Sequence, residues 1–425
     1  MTTRHSQRLL RLCIATVSVL SIAAVLLDAL PAAPEEAPSI RAAEPIPSGM
    51  SDGSPGPTER PEALVGVSAL GAPTATPGPA TRPEWVRTRR ATTLWSEPSP
   101  PSKVVAPLPE GHPLKVLGTG DGRIQVYYEG DGGDADESEG EGWVDQSEVE
   151  PAPAPRWVLA PQETELRTGL RRGSDTAGRL PKRAVVEVLE DRGSDLRVFY
   201  LGNGRDFDPL EGWVSASEVV AAGTMLAAER RGMRRLTRSE VASLHAGEGL
   251  WMRVPFRSQM DGSPAESSNC GPASVGMVLE QLHSFVPTDE LRTEANRLQG
   301  TWGPDNGFGI EFLAQLVERY GLRVHGLYEG VNFRRWSLED LRSQLGQGRP
   351  AIVELRFRYM PGRADSDSWD DHYVVISGML GDDFVYNDSV DVDGPGYGRV
   401  MSADDLQRAW GGSDFPFAAF AVSRP

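Results

Sequence analysis

Apolar residues are arranged along this chain in four ways, and each predicts a different kind of structure. Leu12–Leu27 is an unbroken weakly polar-to-apolar run that follows Arg4, Arg8 and Arg11 and precedes Ala29, Ala32 and Ala33. A basic flank, a short apolar segment and small residues form the pattern of an export signal. The run is shorter than the roughly 20 residues that a membrane-spanning helix needs. Residues 1–33 are therefore expected to be a signal peptide or an uncleaved N-terminal anchor, and no other stretch is apolar enough to cross a membrane. Cys13 follows Leu12 and not a small residue, so no lipid attachment is expected there. From 34 to 83 Pro, Ala, Gly, Ser and Thr dominate without apolar periodicity. Such a composition cannot bury enough surface to offset chain entropy, which predicts a disordered, extended linker.

The third pattern is a repeat. Trp85-Val86 returns as Trp157-Val158, Leu94 as Leu166, Leu108 as Leu180, Val116-Leu117 as Val188-Leu189, and Val126-Tyr127-Tyr128 as Val198-Phe199-Tyr200, at a constant offset of 72. The offset then drops to 70, with Gly142-Trp143-Val144 matching Gly212-Trp213-Val214 and Ser147-Glu148-Val149 matching Ser217-Glu218-Val219. In each copy, short β-branched and aromatic runs are divided by Gly, Pro and Asp turns, which predicts a small antiparallel barrel over 84–150 and another over 156–222. Trp143 and Trp213 read as barrel core and less readily as ligand platforms. The acidic loop Asp131–Glu141 lacks the fixed alternation of oxygen ligands around a turn glycine that an EF-hand shows, and is not read as a calcium site. Over 223–250, Thr237-x-x-Glu240 is a capping-box pattern ahead of a short amphipathic helix, read as a helical hinge.

The fourth pattern occupies 251–425, where helical and strand periodicities alternate over a length sufficient for an independent α+β core. Composition narrows the possibilities. The chain carries 43 Lys and Arg against 60 Asp and Glu, a formal charge of −17, which would be repelled by a nucleic-acid backbone. With the leader removed, Cys270 is the only thiol, so neither an intramolecular disulfide nor a cysteine-based zinc site can form.

The chemistry concentrates around that thiol. Gly271, Pro272 and Ala273 set a tight turn and a helix-compatible proline directly after Cys270, and Val275, Met277, Val278, Leu279 and Leu282 continue an apolar helix. A thiol at a helix N-terminus meets unpaired backbone N–H groups and the positive end of the helix dipole, which favour thiolate. Of His5, His112, His245, His283, His325 and His372, only the last opens a long apolar run, His372-Tyr373-Val374-Val375-Ile376, read as a central strand. The next strand ends in Asn387-Asp388, either of which can accept the second imidazole N–H. Asp388 is the first choice. Gln259 can join the Cys270 backbone N–H in binding an oxyanion.

The repeated units, in their order of strand signals over Glu84–Ala222, resemble bacterial SH3-like (SH3b) domains. Residues 253–422 resemble the peptidase C-39-like domains, papain-like relatives of bacteriocin-leader peptidases, through Val254-Pro255 with Gln259, Asn269-Cys270-Gly271-Pro272 with Ser274, Gly348-Arg349-Pro350-Ala351-Ile352-Val353, His372-Tyr373-Val374-Val375 with Gly378, and Asn387-Asp388. Ser389 stands where that family usually has Pro. The resemblance implies a multidomain protein: two small all-β SH3-like barrels followed by an α+β papain-like cysteine peptidase domain with catalytic Cys270, His372, Asp388 and Gln259, needing no cofactor or metal. An exported chain of this kind is expected at the cell surface or secreted, acting on a peptide or cell-wall glycopeptide, with membrane contact only through an uncleaved N-terminal segment. Two rival readings remain: a non-catalytic wall-binding or adhesion protein with a degenerate last domain, and an NlpC-type wall-peptide hydrolase. In the latter, cysteine and histidine typically stand closer together in sequence than Cys270 and His372.

Overall fold

A computed structural model describes residues 84–129, 140–171, 173–391 and 396–425. The expected leader and linker, and most of the acidic loop Asp131–Glu141, lie outside the described residues.

The repeat in sequence is a repeat in topology. Trp85–Thr88, Thr92–Trp95, Val104–Leu108, Pro113–Gly120, Arg123–Tyr128, Gly140–Asp145 and Val149–Pro151 form a seven-stranded sheet in the spatial order third, second, sixth, fifth, fourth, first, seventh. The strands Trp157–Ala160, Thr164–Arg167, Thr176–Leu180, Ala184–Asp191, Asp195–Tyr200, Leu210–Ser215 and Val220–Ala221 repeat that order. In both sheets every pairing between these strands is antiparallel, and each order runs between two edge strands. Apolar alternation fills the cores: Ile124, Val126 and Tyr128 are buried along one strand, as are Leu196 and Val198 in its counterpart. The placement of the two strand tryptophans differs from expectation. Gly142 and Val144 point inward, so alternation turns Trp143 outward, and Trp213 is likewise half-buried. The core tryptophans are Trp85 and Trp157.

The segment read as a hinge contains the expected helix, Arg238–His245, with Thr237 and Glu240 forming the capping box. It also supplies Arg234–Arg235 and Gly249–Trp251 as strands to a third sheet, so it is built into the domain that follows. That eight-stranded antiparallel sheet runs Arg234–Arg235, Arg399–Met401, Asp383–Asp388, Asp371–Leu380, Ala351–Arg356, Ala419–Ser423, Arg323–His325, with Gly249–Trp251 added to Asp371–Leu380.

Two apolar clusters share this sheet. Val375, Ile352 and Phe420 pack with residues of the helices Cys270–Leu282, Thr288–Gln299 and Ile310–Arg319. Val374, Val353 and Ala419 pack with residues of Leu338–Gly346 and Ala403–Gly411. Alternation along buried strands thus gives each face its own helical layer. The second repeated unit is fused to this domain: Phe199 and Leu201 belong to one buried cluster with Leu236, Val241, Leu244, Val385, Tyr397 and Val400. Among the described residues no helix is long and apolar enough to cross a membrane.

Candidate active site

Cys270 opens the helix Cys270–Leu282, as the turn sequence after it requires. Ser274 in the helix's second turn donates to the Tyr373 carbonyl at 3.2 Å, which pins the helix start to the strand Asp371–Leu380 beside His372. His372 is 4% exposed and Asp388 1%, while Cys270 keeps partial access to solvent. The nucleophile is reachable and its partners are enclosed.

His372 pairs with Leu355 across one strand boundary, and Val374 pairs with Asp388 across the other. This register puts the imidazole next to the carboxylate, with Nε2 2.8 Å from Asp388 Oδ1. The ring's other face of hydrogen bonding meets the Cys270 thiol. Phe357 and the imidazole stand in a T-shaped arrangement, 5.4 Å between ring centres. Asn387, one position earlier, turns to the opposite face, where its Nδ2 donates to the Val254 carbonyl at 2.9 Å and its Oδ1 accepts from Gly398 N at 3.1 Å. Strand alternation therefore separates the two candidates that the sequence placed side by side.

Charge in this enclosure is shared among several groups. Burial opposes ionisation of Cys270, yet the hydrogen bond and charge of His372, with the Tyr373 and Gly271 backbone amides, bring the thiol below its ordinary value. Burial likewise disfavours a charged His372, but the Asp388 carboxylate and the thiolate outweigh it and push the imidazole up to about 10. Asp388 is held well below the carboxylate range, against its burial, by His372, Arg363 and Arg399. These directions favour a thiolate–imidazolium pair backed by a carboxylate.

The carboxylate has its own support. Arg363 Nη2 approaches Asp388 Oδ2 at 3.4 Å and Asp391 Oδ1 at 3.1 Å. The fully buried Arg399 donates from Nε to Asp391 Oδ2 at 2.6 Å. These arginines come from the loop before His372 and from the strand after Asp388, and nothing in local sequence pattern marks them.

Gln259 is 3% exposed and lies at the edge of this group. Its Nε2 donates to the Glu266 carbonyl at 2.8 Å, its Oε1 accepts from Ser389 Oγ at 2.9 Å, and its backbone N–H donates to the Ser389 carbonyl at 2.7 Å. It ties the loop before Cys270 to the residue after Asp388. Ser389, a departure from the resembled pattern, thereby supplies a hydroxyl that fixes the glutamine amide. Arg292, 7% exposed, anchors the nucleophile loop by donating to Asn269 Oδ1 at 2.9 Å and to the carbonyls of Gly303 and Pro304 at 2.9 and 2.8 Å.

No curated protein matches the chain. Among solved structures, it is similar to a C39-like peptidase from Bacillus anthracis at 17% identity, over 42% of this chain and 98% of that one, with a TM-score of 0.30. It is similar to the peptidase domain of Streptococcus ComA, a bifunctional ABC transporter, at 16% identity over 40% and 98%, with a TM-score of 0.26. NlpC2 from Trichomonas vaginalis aligns at 11% identity over 81% and 98%, with a TM-score of 0.17. Residues 252–414, the part of the chain that carries Cys270, His372 and Asp388, match the model of the Peptidase_C39 like family.

Proposed function

We propose that this chain is an exported cysteine peptidase that cleaves an amide bond in a cell-wall peptide or surface protein, using Cys270, His372 and Asp388, while the two repeated β units act as SH3-like tethering modules. The observation that carries this reading is the buried His372 imidazole set between a thiol and a carboxylate, in a segment matching a peptidase family.

In the proposed reaction, the Cys270 thiolate attacks the scissile carbonyl carbon and the carbonyl electron pair moves to oxygen. The Cys270 backbone N–H and the second amide proton of Gln259, whose first is held by Glu266, donate to that oxyanion. As the tetrahedral intermediate collapses, the C–N bond breaks and His372 gives its proton to the leaving amine. The now neutral imidazole takes a proton from water, whose oxygen attacks the thioester, and the thiolate leaves as the acid is released. Asp388 keeps the ring oriented and its charge compensated throughout. None of these steps calls on a cofactor or metal. The proposed export route is the N-terminal leader, with the chain secreted or held at the surface.

The test is incubation of the full chain with purified wall peptides and with an unfolded protein, products being followed by mass spectrometry. New amino and carboxyl termini that are absent with Cys270→Ala support the reading. Intact substrates in both classes would contradict it and favour a wall-binding protein with a degenerate domain.

A further inference from the structure

On the face of the third sheet that carries Tyr373, the carboxyls outnumber the cations. Glu354 pairs with Tyr373 and Arg356 with Asp371 across neighbouring strands. Arg356 reaches Asp371 at 3.3 Å and Asp414 at 2.5 Å, so one guanidinium serves two carboxylates, and among the described residues Glu354 has no ion-pair partner. Asp371 Oδ2 is taken by the Asp414 backbone N–H at 2.7 Å, whereas its Oδ1 has only the ion pair and no hydrogen bond.

Glu354 is 5% exposed, and its Oε2 is buried without a hydrogen-bond partner. The Tyr373 hydroxyl gives its one proton to the Phe308 carbonyl at 2.8 Å, so towards Glu354 it can only accept. Glu311 bears on the same tyrosine and also has an unpartnered buried Oε2. A buried acceptor left without a donor is costly, and the Oε2 of Glu354 is such an acceptor. Glu354 shares a hydrogen bond with Tyr373 through its other oxygen and feels the charges of Asp371, Asp414 and Cys270, which makes the site part of the surroundings of the nucleophile. Exposure falls from 72% at the Asp414 side chain to 10% at Asp371, so the cluster opens to solvent at one end. Among the described residues no carboxyls group closely enough to hold a metal ion, which directs the assignment to an organic cation.

We propose that Glu354 and Asp371 form a binding site for a cationic side chain of the substrate peptide, a lysine or arginine held beside Cys270. The proposal rests on the peptidase reading and names the substrate class. Burial, with the charge of Asp371 next, raises Glu354 to about 8, so the empty site carries a neutral Glu354 at neutral pH. Binding a cation below that pH must first remove its proton. Affinity for a cationic peptide therefore rises as pH approaches 8 and levels off above it, while a neutral peptide shows no such dependence.

The experiment uses the full chain with Cys270→Ala, so that binding is measured whether or not the enzyme turns over. Calorimetry at pH 6 and pH 8.5 compares blocked tetra-alanine peptides carrying one lysine, arginine or norleucine at each position in turn. At one position the lysine or arginine peptide binds about ten-fold tighter than the norleucine peptide at pH 8.5, the ratio expected for a charge-assisted hydrogen bond, and the preference shrinks at pH 6. Lysine alone being preferred marks an ammonium site, and both being preferred marks a site for either cation. Added Glu354→Gln brings the ratio near one, and Asp371→Asn, checked for folding by near-UV circular dichroism, serves as the second variant. Equal affinity for lysine, arginine and norleucine at every position, or a preference unmoved by both variants, overturns the inference. Absence of turnover by the unsubstituted protein would count against the peptidase reading alone.

Discussion

At the scale of single residues, the site depends on how Asp388 and His372 share charge. Asp388→Asn keeps the side chain's size but removes the charge that raises the imidazole, so His372 should titrate well below 10. Turnover of a wall peptide by this variant is expected to fall roughly 10²- to 10⁴-fold, the range for a mispositioned general acid–base, with Cys270→Ala and His372→Ala at background. The sign of the pH dependence follows from the direction of the shift. His372 is raised in the folded state, so its contribution to stability is complete below its ordinary value of 6.5 and is lost as pH rises through about 10. The stability gap between the unsubstituted chain and His372→Gln, measured by urea unfolding, should therefore be wide at pH 6 and narrow above pH 10. A gap that widens with pH would reverse the assigned charge state. Cys270, His372 and Asp388 were legible in the sequence because a helix start and two strand ends announce themselves locally. Arg363, Arg399 and Glu354 were not, because their meaning comes from which strand or loop lies beside them.

At the scale of elements, the periodicity of the chain anticipated the helix at Cys270, the central strand at His372 and the capped helix after Thr237. It misplaced Trp143 and Trp213, because a tryptophan's size argues for burial while strand alternation, set by Gly142 and Val144, turns it outward. Gly378 shows what a motif glycine does physically. The strand Gly249–Trp251 lies across it, and a Cβ at Gly378 would overlap the Leu250 carbonyl and crowd the Trp251 Cα. Gly378→Ala should thus loosen that strand and destabilise the protein by roughly 1–3 kcal/mol, the usual cost of overpacking. Early amide exchange at Trp251 and Met252, whose N–H donates to the Ser377 carbonyl, would locate the damage. Unchanged exchange there would mean that the pairing tolerates the methyl group.

At the scale of the whole molecule, the two repeats were legible as a register, but their attachment was not, since no sequence pattern predicts which surfaces meet. The first sheet unit touches the second through Trp85, which packs in the second unit's core, and through Lys115, whose ammonium reaches the Ala216 carbonyl. The second touches the last domain through the cluster of Phe199, Leu201, Val385, Tyr397 and Val400, and through Arg205, which is ion-paired with Glu280 on the helix begun by Cys270. Exposing a buried side chain of this size costs about 1.5–3 kcal/mol. A fragment of residues 251–425 is therefore expected to melt at a lower temperature than one of 156–425, because only the longer one keeps Phe199, Leu201 and the strands at 234–235 and 249–251. Equal melting temperatures would show that the last domain does not rely on its neighbour.

The central claim is that Cys270 rests as a thiolate paired with the His372 imidazolium, and alkylation of the full chain by iodoacetamide across pH 4 to 10 tests it most directly. The predicted rate profile stays high from neutral into mildly acid solution and falls only well below the ordinary thiol value of about 8.5, with His372→Ala restoring a rise at that value or above. A profile in the unsubstituted chain that rises only near 8.5 or higher, and that His372→Ala leaves in place, would contradict the account.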